Sequence, residues 1–188
     1  MKDMVDHLRL LVPPPSPPVA AGTASSFLEF EEAIGLRLPG DYKEIISAYG
    51  DGNWQDFWFL LNPFSANPYR NLQLQAPRDD ASGRNVLSAE RYLRNADAGY
   101  PHAIWPDRGG IFPWAVTDNG GRFFWITDGQ PDAWPTIYYP SRDPDYKELA
   151  LSTSEIVYGL VSGELPLFHE EFGGDLPEAA FAPAYTGA

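Results

Sequence analysis

The sequence predicts an α+β protein in which helices pack against an antiparallel β-sheet. Apolar residues recur at helical spacing in three segments, 27–34, 42–49 and 156–161. Short segments rich in aromatic and β-branched residues predict strands at 111–118, 122–128 and 134–139. Asn119-Gly120-Gly121 joins the first two of these strands, and an Asn-Gly pair is typical of a β-hairpin turn. Tight turns between successive strands indicate an antiparallel meander.

The N-terminal region is predicted to lie outside the folded domain. Residues 1–12 predict one short amphipathic turn or two, and a proline-rich segment follows at 13–26. Because proline fixes φ and has no backbone N–H, this segment should run extended. A stiff spacer is its simplest role, and a ligand for a polyproline-reading domain is the alternative. We therefore assign residues 1–24 to an N-terminal extension with a Pro-rich linker.

Two helices are predicted where the folded domain begins. Ser26 and Glu29 form a capping box for the first helix, and Gly35 ends it. Asp41 and Glu44 form a second box. One apolar stripe follows at Tyr42, Ile45, Ile46 and Tyr49.

The remaining elements follow from composition and turn residues. Residues 54–61 predict a single, largely buried strand, and residues 86–98 predict a helix. A last helix, capped by Ser152 or Thr153, closes the domain, which we assign to residues 25–172. The acidic, Ala/Pro-containing segment 173–188 is predicted to be a flexible tail.

The charge balance limits the classes of partner. Acidic residues outnumber basic residues by 26 to 13, which gives a formal net charge of −13. Such a surface repels nucleic acid and anionic lipid and attracts a basic partner. A strong net charge also keeps proteins soluble, which is the simpler interpretation. We expect no direct nucleic-acid binding and no membrane association.

The cysteine content and the lengths of the apolar runs indicate where in the cell the protein is located. The chain has no cysteine, so disulfides, thiolate metal sites and cysteine nucleophiles are excluded. The apolar run Leu10-Leu11-Val12 stops at Pro13 and is too short for a signal peptide. No apolar run approaches the ~20 residues of a membrane helix. We expect a cytoplasmic protein.

Carboxylates and tryptophans supply the best argument for an enzyme. Aspartates lie at the ends of the predicted strands with tryptophans nearby, and glycosidases use paired carboxylates beside aromatic rings. Both residue types also have structural explanations, since aspartate is favoured in turns and strand tryptophans are usually buried. The three histidines, His7, His102 and His169, have no ligand-spaced neighbour. We predict no catalytic site, no metal and no cofactor.

Three motifs, in order, resemble the SUKH superfamily, which includes the fungal Smi/Knr cell-wall regulators. The first is the segment 27–52, with Leu38-Pro39, Asp41-Tyr42, Tyr49-Gly50 and Gly52 in the family's positions. The second is the hairpin sequence IFPWAVTDNGGRFFWIT, and the third is YKELALSTSEIVYGLVSG. The resemblance covers residues 27–163, but the long insert from Pro63 to Arg108 matches poorly.

The resemblance implies an α+β fold and a binding role without catalysis. Many bacterial members resemble immunity proteins that neutralise toxin domains, often nucleases, and eukaryotic members are regulators or scaffolds. We therefore expect an immunity protein that occludes a basic toxin domain, which could be a nuclease. An intracellular scaffold and a carbohydrate-binding module or glycan hydrolase are the alternatives. The sequence does not identify the toxin or the oligomeric state.

The expected partner-facing residues combine aromatic anchors with negative charge. Aromatic residues dominate binding energy at interfaces, and acidic rims speed encounter with basic partners. On the assumption that the turn-bearing edge of the sheet faces the toxin, the candidates are Asp51, Trp54, Asp107, Asp118, Asp128, Asp132 and Trp134.

Overall fold

The computed structural model describes residues 4–76, 102–140, 145–168 and 177–185. In these ranges the chain forms a seven-stranded sheet in the order β6-β5-β4-β3-β2-β1-β7, and every pair of neighbours is antiparallel. The strands are β1 Gly52–Trp54, β2 Trp58–Leu60, β3 Ile111–Thr117, β4 Arg122–Ile126, β5 Thr136–Tyr139, β6 Lys147–Leu149 and β7 Phe181–Pro183. The helices are α1 Met4–Leu11, α2 Ala24–Ile34, α3 Gly40–Tyr49, α4 Leu72–Gln75 and α5 Thr153–Ser162. The predicted α+β class is confirmed.

One face of the sheet packs against the helices and contains the main core. Because side chains alternate across a strand, Trp114 on β3 and Trp125 on β4 point to the same face. Their rings stack with centroids 5.8 Å apart, and Tyr42 of α3 meets Trp125 edge-on at 5.0 Å. The other face has a smaller buried cluster formed by Ile111, Phe124, Ile137 and Tyr139.

The aromatic segment 54–61 is two strands instead of the single predicted strand. Gln55 and Asp56 both adopt positive φ, at 52° and 50°, and the N–H of Phe57 donates to the carbonyl of Trp54 at 3.0 Å. This turn reverses the chain between β1 and β2. Gln55 and Asp56 are a polar pair inside an otherwise apolar run, and this pair is the sequence feature that indicates the turn.

The helix caps differ from the predicted boxes at two of three sites. Thr23 caps α2, and its hydroxyl accepts from the N–H of Ser26 at 3.3 Å. Asp41 accepts from the N–H of Ser154 in the first turn of α5 at 2.7 Å. Of the two predicted caps for α5, Ser152 and Thr153, it is Ser152 that caps the helix. The helix predicted at 86–98 lies outside the described residues.

Both chain ends pack onto the fold within the described ranges. On α1, Val5 and Leu8 are fully buried, and this helix contacts α5 and α3. Near the C-terminus β7 pairs with β1 in the segment predicted to be flexible. The predicted spacer is also fixed, because Asn62 Nδ2 donates to the carbonyl of Ala20 at 3.0 Å. Long-range hydrogen bonds of this kind have no local sequence signature.

Candidate partner-binding surface

The two tryptophans predicted to anchor a partner lie in the core. Trp54 is 1% exposed and Trp134 is 6% exposed. Trp54 packs between Tyr49 and Trp58, and Trp134 packs against Trp125. Both rings contribute to folding, so we remove them from the candidate surface.

Asp51 is also buried, at 4% exposure. Its carboxylate accepts from the hydroxyl of Ser65 and pairs with Arg70 Nη1 at 3.3 Å. Its backbone N–H donates to the carbonyl of Val19 at 2.7 Å, and its carbonyl accepts from the N–H of Ala184 at 2.8 Å. Asp51 therefore joins three segments of the chain and is not available to a partner.

Asp132 is exposed, but its carboxylate has a structural role. Its Oδ1 accepts a 2.6 Å hydrogen bond from the N–H of Gly40 at the start of α3. Pro39 precedes this helix and has no side chain that can cap it. A carboxylate at a helix N-terminus satisfies an otherwise unpaired N–H and interacts favourably with the helix dipole.

Asp107 and Asp128 lie together at one end of the sheet. Asp107 precedes β3, Asp128 follows β4, and the N–H of Thr127 donates to the carbonyl of Gly110 at 3.0 Å. Arg108 pairs with Asp128 at 3.6 Å, with both side chains mostly exposed. An ion pair this exposed contributes little to stability.

Asp118 lies at the opposite end of the sheet, directly after β3. Because a strand rises about 3.3 Å per residue, the length of β3 separates Asp118 from Asp107 and Asp128 by roughly 20 Å. Asp118 therefore lies apart from Asp107 and Asp128, at the other end of the sheet. The paired carboxylates of glycosidases are about 5–9.5 Å apart, so Asp118 cannot pair with either of them in that way.

The end of the sheet that carries Asp118 combines three segments, and we call it the hairpin end. It consists of the β1–β2 turn (55–57), the β3–β4 turn (118–121) and residues 177–180. The N–H of Asp118 donates to the carbonyl of Phe57 at 2.7 Å, and Gln55 Nε2 donates to the carbonyl of Pro177 at 3.0 Å. These hydrogen bonds hold the segments side by side.

Three exposed carboxylates belong to the hairpin end: Asp56, Asp118 and Glu178. Partial burial of its carboxyl raises the pKa of Asp118 above the ordinary value, Arg70 opposes this rise, and the negative charge of Asp56 adds to it. The surroundings of Asp118 thus disfavour the ionised form of its carboxyl group. Sequence reasoning missed Asp56 and Glu178.

Most Lys and Arg side chains of the described residues form ion pairs with Asp or Glu side chains. Arg9 pairs with Asp6 and Glu44, Arg37 and Lys43 with Glu31, Arg70 with Asp51, and Arg108 with Asp128. Within the described ranges, no ion pair joins a basic side chain to Asp56, Asp118 or Glu178. The residues that define the hairpin end, 55–57, 118–121 and 177–180, carry three carboxylates and no basic side chain.

The buried carboxylate of Glu31 binds two of these basic side chains, Arg37 and Lys43. Its side chain is only 2% exposed, and it accepts from Lys43 Nζ at 2.8 Å, Arg37 Nη1 at 2.9 Å and the N–H of Leu38 at 2.8 Å. Burial alone would raise the pKa of this carboxyl, but the three donors outweigh it and hold the pKa below its ordinary value. Glu31 fixes the α2–α3 connection.

The tryptophans do not form a platform on which a sugar could stack. Five of the six tryptophans are at most 6% exposed, and Trp105 is half-buried against Phe112. Stacking on a sugar requires an exposed ring face. The tryptophans therefore no longer support the hypothesis of a glycan-binding protein.

The histidines and carboxylates show no metal-binding arrangement in the described parts of the chain. His7 packs near Tyr158 and His102 against Tyr146, and His169 lies outside the described residues. Over the same ranges, no three His, Asp or Glu side chains are grouped to hold a metal ion. No helix in the described segments has the length and apolar character needed to cross a membrane.

Comparison with known proteins gave one family. The model of the SUKH_6 family, described as SMI1-KNR4 cell-wall, matches residues 25–155. This match covers more than two thirds of the 188 residues. It begins in α2, ends in α5 and includes every strand except β7. No curated protein and no solved structure matches the chain.

Proposed function

We propose that this chain is an immunity-type binding protein. The proposal starts from the family to which the chain belongs, the SMI1-KNR4 family of the SUKH superfamily. Proteins of this family are generally non-catalytic. The partner in this proposal is a basic bacterial toxin domain, neutralised by occlusion in the cytoplasm. A nuclease fits this description, because its active site must attract phosphate.

The observation that carries the proposal is the hairpin end. Asp56 and Asp118 lie on adjacent turns, close enough for the charge of one to raise the pKa of the other. Repulsion between the negative charges of Asp56 and Asp118 opposes folding. Exposed negative charge on these adjacent turns would speed association with a basic protein.

The docking face in this proposal is smaller than the one predicted from sequence. Asp118 remains, and Asp56 and Glu178 join it. Asp107 and Asp128 form a second exposed acidic group at the other end of the sheet, where Arg108 already offsets part of the charge. A single partner domain contacting the hairpin end need not reach that second group, because the two are roughly 20 Å apart.

The proposal is tested by rescue from a toxin. Where the neighbouring gene encodes a large secreted protein, the probe is the C-terminal domain of that protein, expressed with and without this chain. We expect growth only with this chain, and a 1:1 complex whose association rate falls as salt increases. If no rescue and no complex are seen although both proteins are folded, the immunity function is wrong.

A further inference from the structure

Strand β7 occupies the edge of β1 as a short extended segment. Gly52 pairs with Pro183, Asn53 with Ala182 and Trp54 with Phe181. The N–H of Gln55 donates to the carbonyl of Ala180 at 3.0 Å, and the N–H of Ala184 donates to the carbonyl of Asp51 at 2.8 Å. This is the geometry by which sheet edges bind peptides.

The ring of Phe181 fills a notch that exists because residue 52 is glycine. A Cβ atom on Gly52 would lie 2.3 Å from the Phe181 ring and 2.4 Å from the carbonyl oxygen of Ala182. The walls of the notch are Tyr49 and Trp54, whose ring centroids are 5.4 Å and 4.7 Å from that of Phe181. We call this notch and the β1 edge the edge groove.

Side-chain burial holds β7 only weakly. Phe181 is half-buried, and Ala182 and Pro183 are exposed. The strand also lies beyond residues 25–155, the part of the chain that the family model matches.

The outer side of β7 is unsuited to a further strand. In an antiparallel ladder the backbone groups of alternate residues point away from the neighbour, and here those residues are Phe181 and Pro183. Proline has no N–H to donate, and proline on an edge strand prevents further pairing. The edge that can accept a segment is thus the one on β1, beneath β7.

We propose that the edge groove binds an extended segment of a partner protein, with an aromatic residue at the Phe181 position followed by a small residue. Residues 177–185 of this chain occupy the groove as a built-in competitor. Binding there uses backbone pairing and a half-buried ring, whereas the hairpin end uses charge. The inference therefore does not depend on the proposed immunity function.

The test uses full-length protein and a fluorescent peptide of residues 177–185. A tethered segment competes at an effective concentration on the order of millimolar, so wild-type protein should not bind micromolar peptide. F181A removes the competing ring and should bind the peptide at least tenfold more tightly than wild type. F181A/G52V should not bind, because the added side chain fills the notch. Y185A changes a tail residue that is 94% exposed and should behave as wild type.

Each alternative result overturns the proposal. Equal peptide binding by F181A and F181A/G52V would mean that the groove is not the site. A concentration-dependent dimer of F181A that excludes the peptide would assign the edge to strand exchange between copies. An F181A chain that fails to fold would make β7 an obligatory part of the core.

Discussion

The backbone N–H of Asp51 donates a 2.7 Å hydrogen bond to the carbonyl of Val19, and this bond fastens the N-terminal segment to the start of β1. The contact requires the preceding glycine, because a Cβ on Gly50 would lie 2.0 Å from the carbonyl oxygen of Val19. The Tyr49 hydroxyl adds a 2.7 Å bond to the carbonyl of Val12. Tyr49, Gly50 and Asp51 thus hold a segment that precedes residues 25–155, the part of the chain that the family model matches.

Helix α1 should contribute strongly to stability. Leu8 is fully buried whereas Leu10, on the same helix, is 72% exposed. Leu8→Ala should lower the free energy of unfolding by about 2–5 kcal/mol, because it leaves a cavity beneath α1. Leu10→Ala should change it by less than about 0.5 kcal/mol. Urea unfolding measures both, and equal effects would mean that α1 is not docked in solution.

The buried Glu31 carboxylate should make the free energy of unfolding depend on pH in the acidic range. Glu31→Gln removes the anion shared by Lys43 and Arg37, both of which water can reach, and should cost about 1–3 kcal/mol at neutral pH. Because the pKa of Glu31 in the folded state lies below 4.5, the wild-type contribution persists above that pH and is lost as pH falls through the folded value.

The control for this prediction is Glu32→Gln, at the adjacent exposed position of α2. Unfolding of all three proteins is followed between pH 7 and pH 3. The difference between wild type and Glu31→Gln should shrink as the pH falls, and the difference for Glu32→Gln should stay small throughout. A pH-independent loss in Glu31→Gln would contradict a role for its charge.

The contribution of Asp132 to stability, as the carboxylate that caps α3, should be measurable. Asp132→Ala removes the acceptor for the N–H of Gly40 and should cost about 1 kcal/mol, as other capping losses do. Asp128→Ala breaks only the exposed pair with Arg108 and should cost less than about 0.5 kcal/mol. Thermal or urea unfolding distinguishes them. A larger loss from Asp128→Ala would reverse the roles assigned to these two carboxylates.

The hairpin end should determine how fast a basic partner associates. Asp56→Asn/Asp118→Asn should lower the association rate constant at low salt at least about threefold and should flatten its salt dependence. Glu29→Gln/Glu32→Gln makes the same change in net charge on α2 and serves as the control. Stopped-flow association with the toxin domain measures both. Equal effects would mean that total charge, and not the hairpin end, attracts the partner.

Asp118 should oppose stability while it favours binding. Its pKa is raised by burial and by Asp56, so the ionised form destabilises the fold above that pKa and the penalty disappears as pH falls through it. Asp118→Asn should therefore unfold at a urea concentration equal to or higher than wild type at pH 7. A clear loss of stability would show that the carboxylate has a structural role instead.

The sequence determined the features that depend on neighbours along the chain. Helical spacing identified α2, α3 and α5, and Asn119-Gly120-Gly121 identified the β3–β4 hairpin, because periodicity and turn chemistry act over a few residues. Ser152 was found as a cap for the same reason: it and Glu155 stand in one local box.

The tertiary structure decided what each carboxylate and tryptophan does. Asp132 caps a helix 92 residues away, and Asp41 bonds an N–H 113 residues away. Such contacts form only after the sheet and helices have packed, and a turn aspartate has the same local sequence whether it meets solvent or a helix end. The same packing buried Trp54 and Asp51 and left Asp56, Asp118 and Glu178 exposed, because the turns that carry them lie together only in the folded sheet.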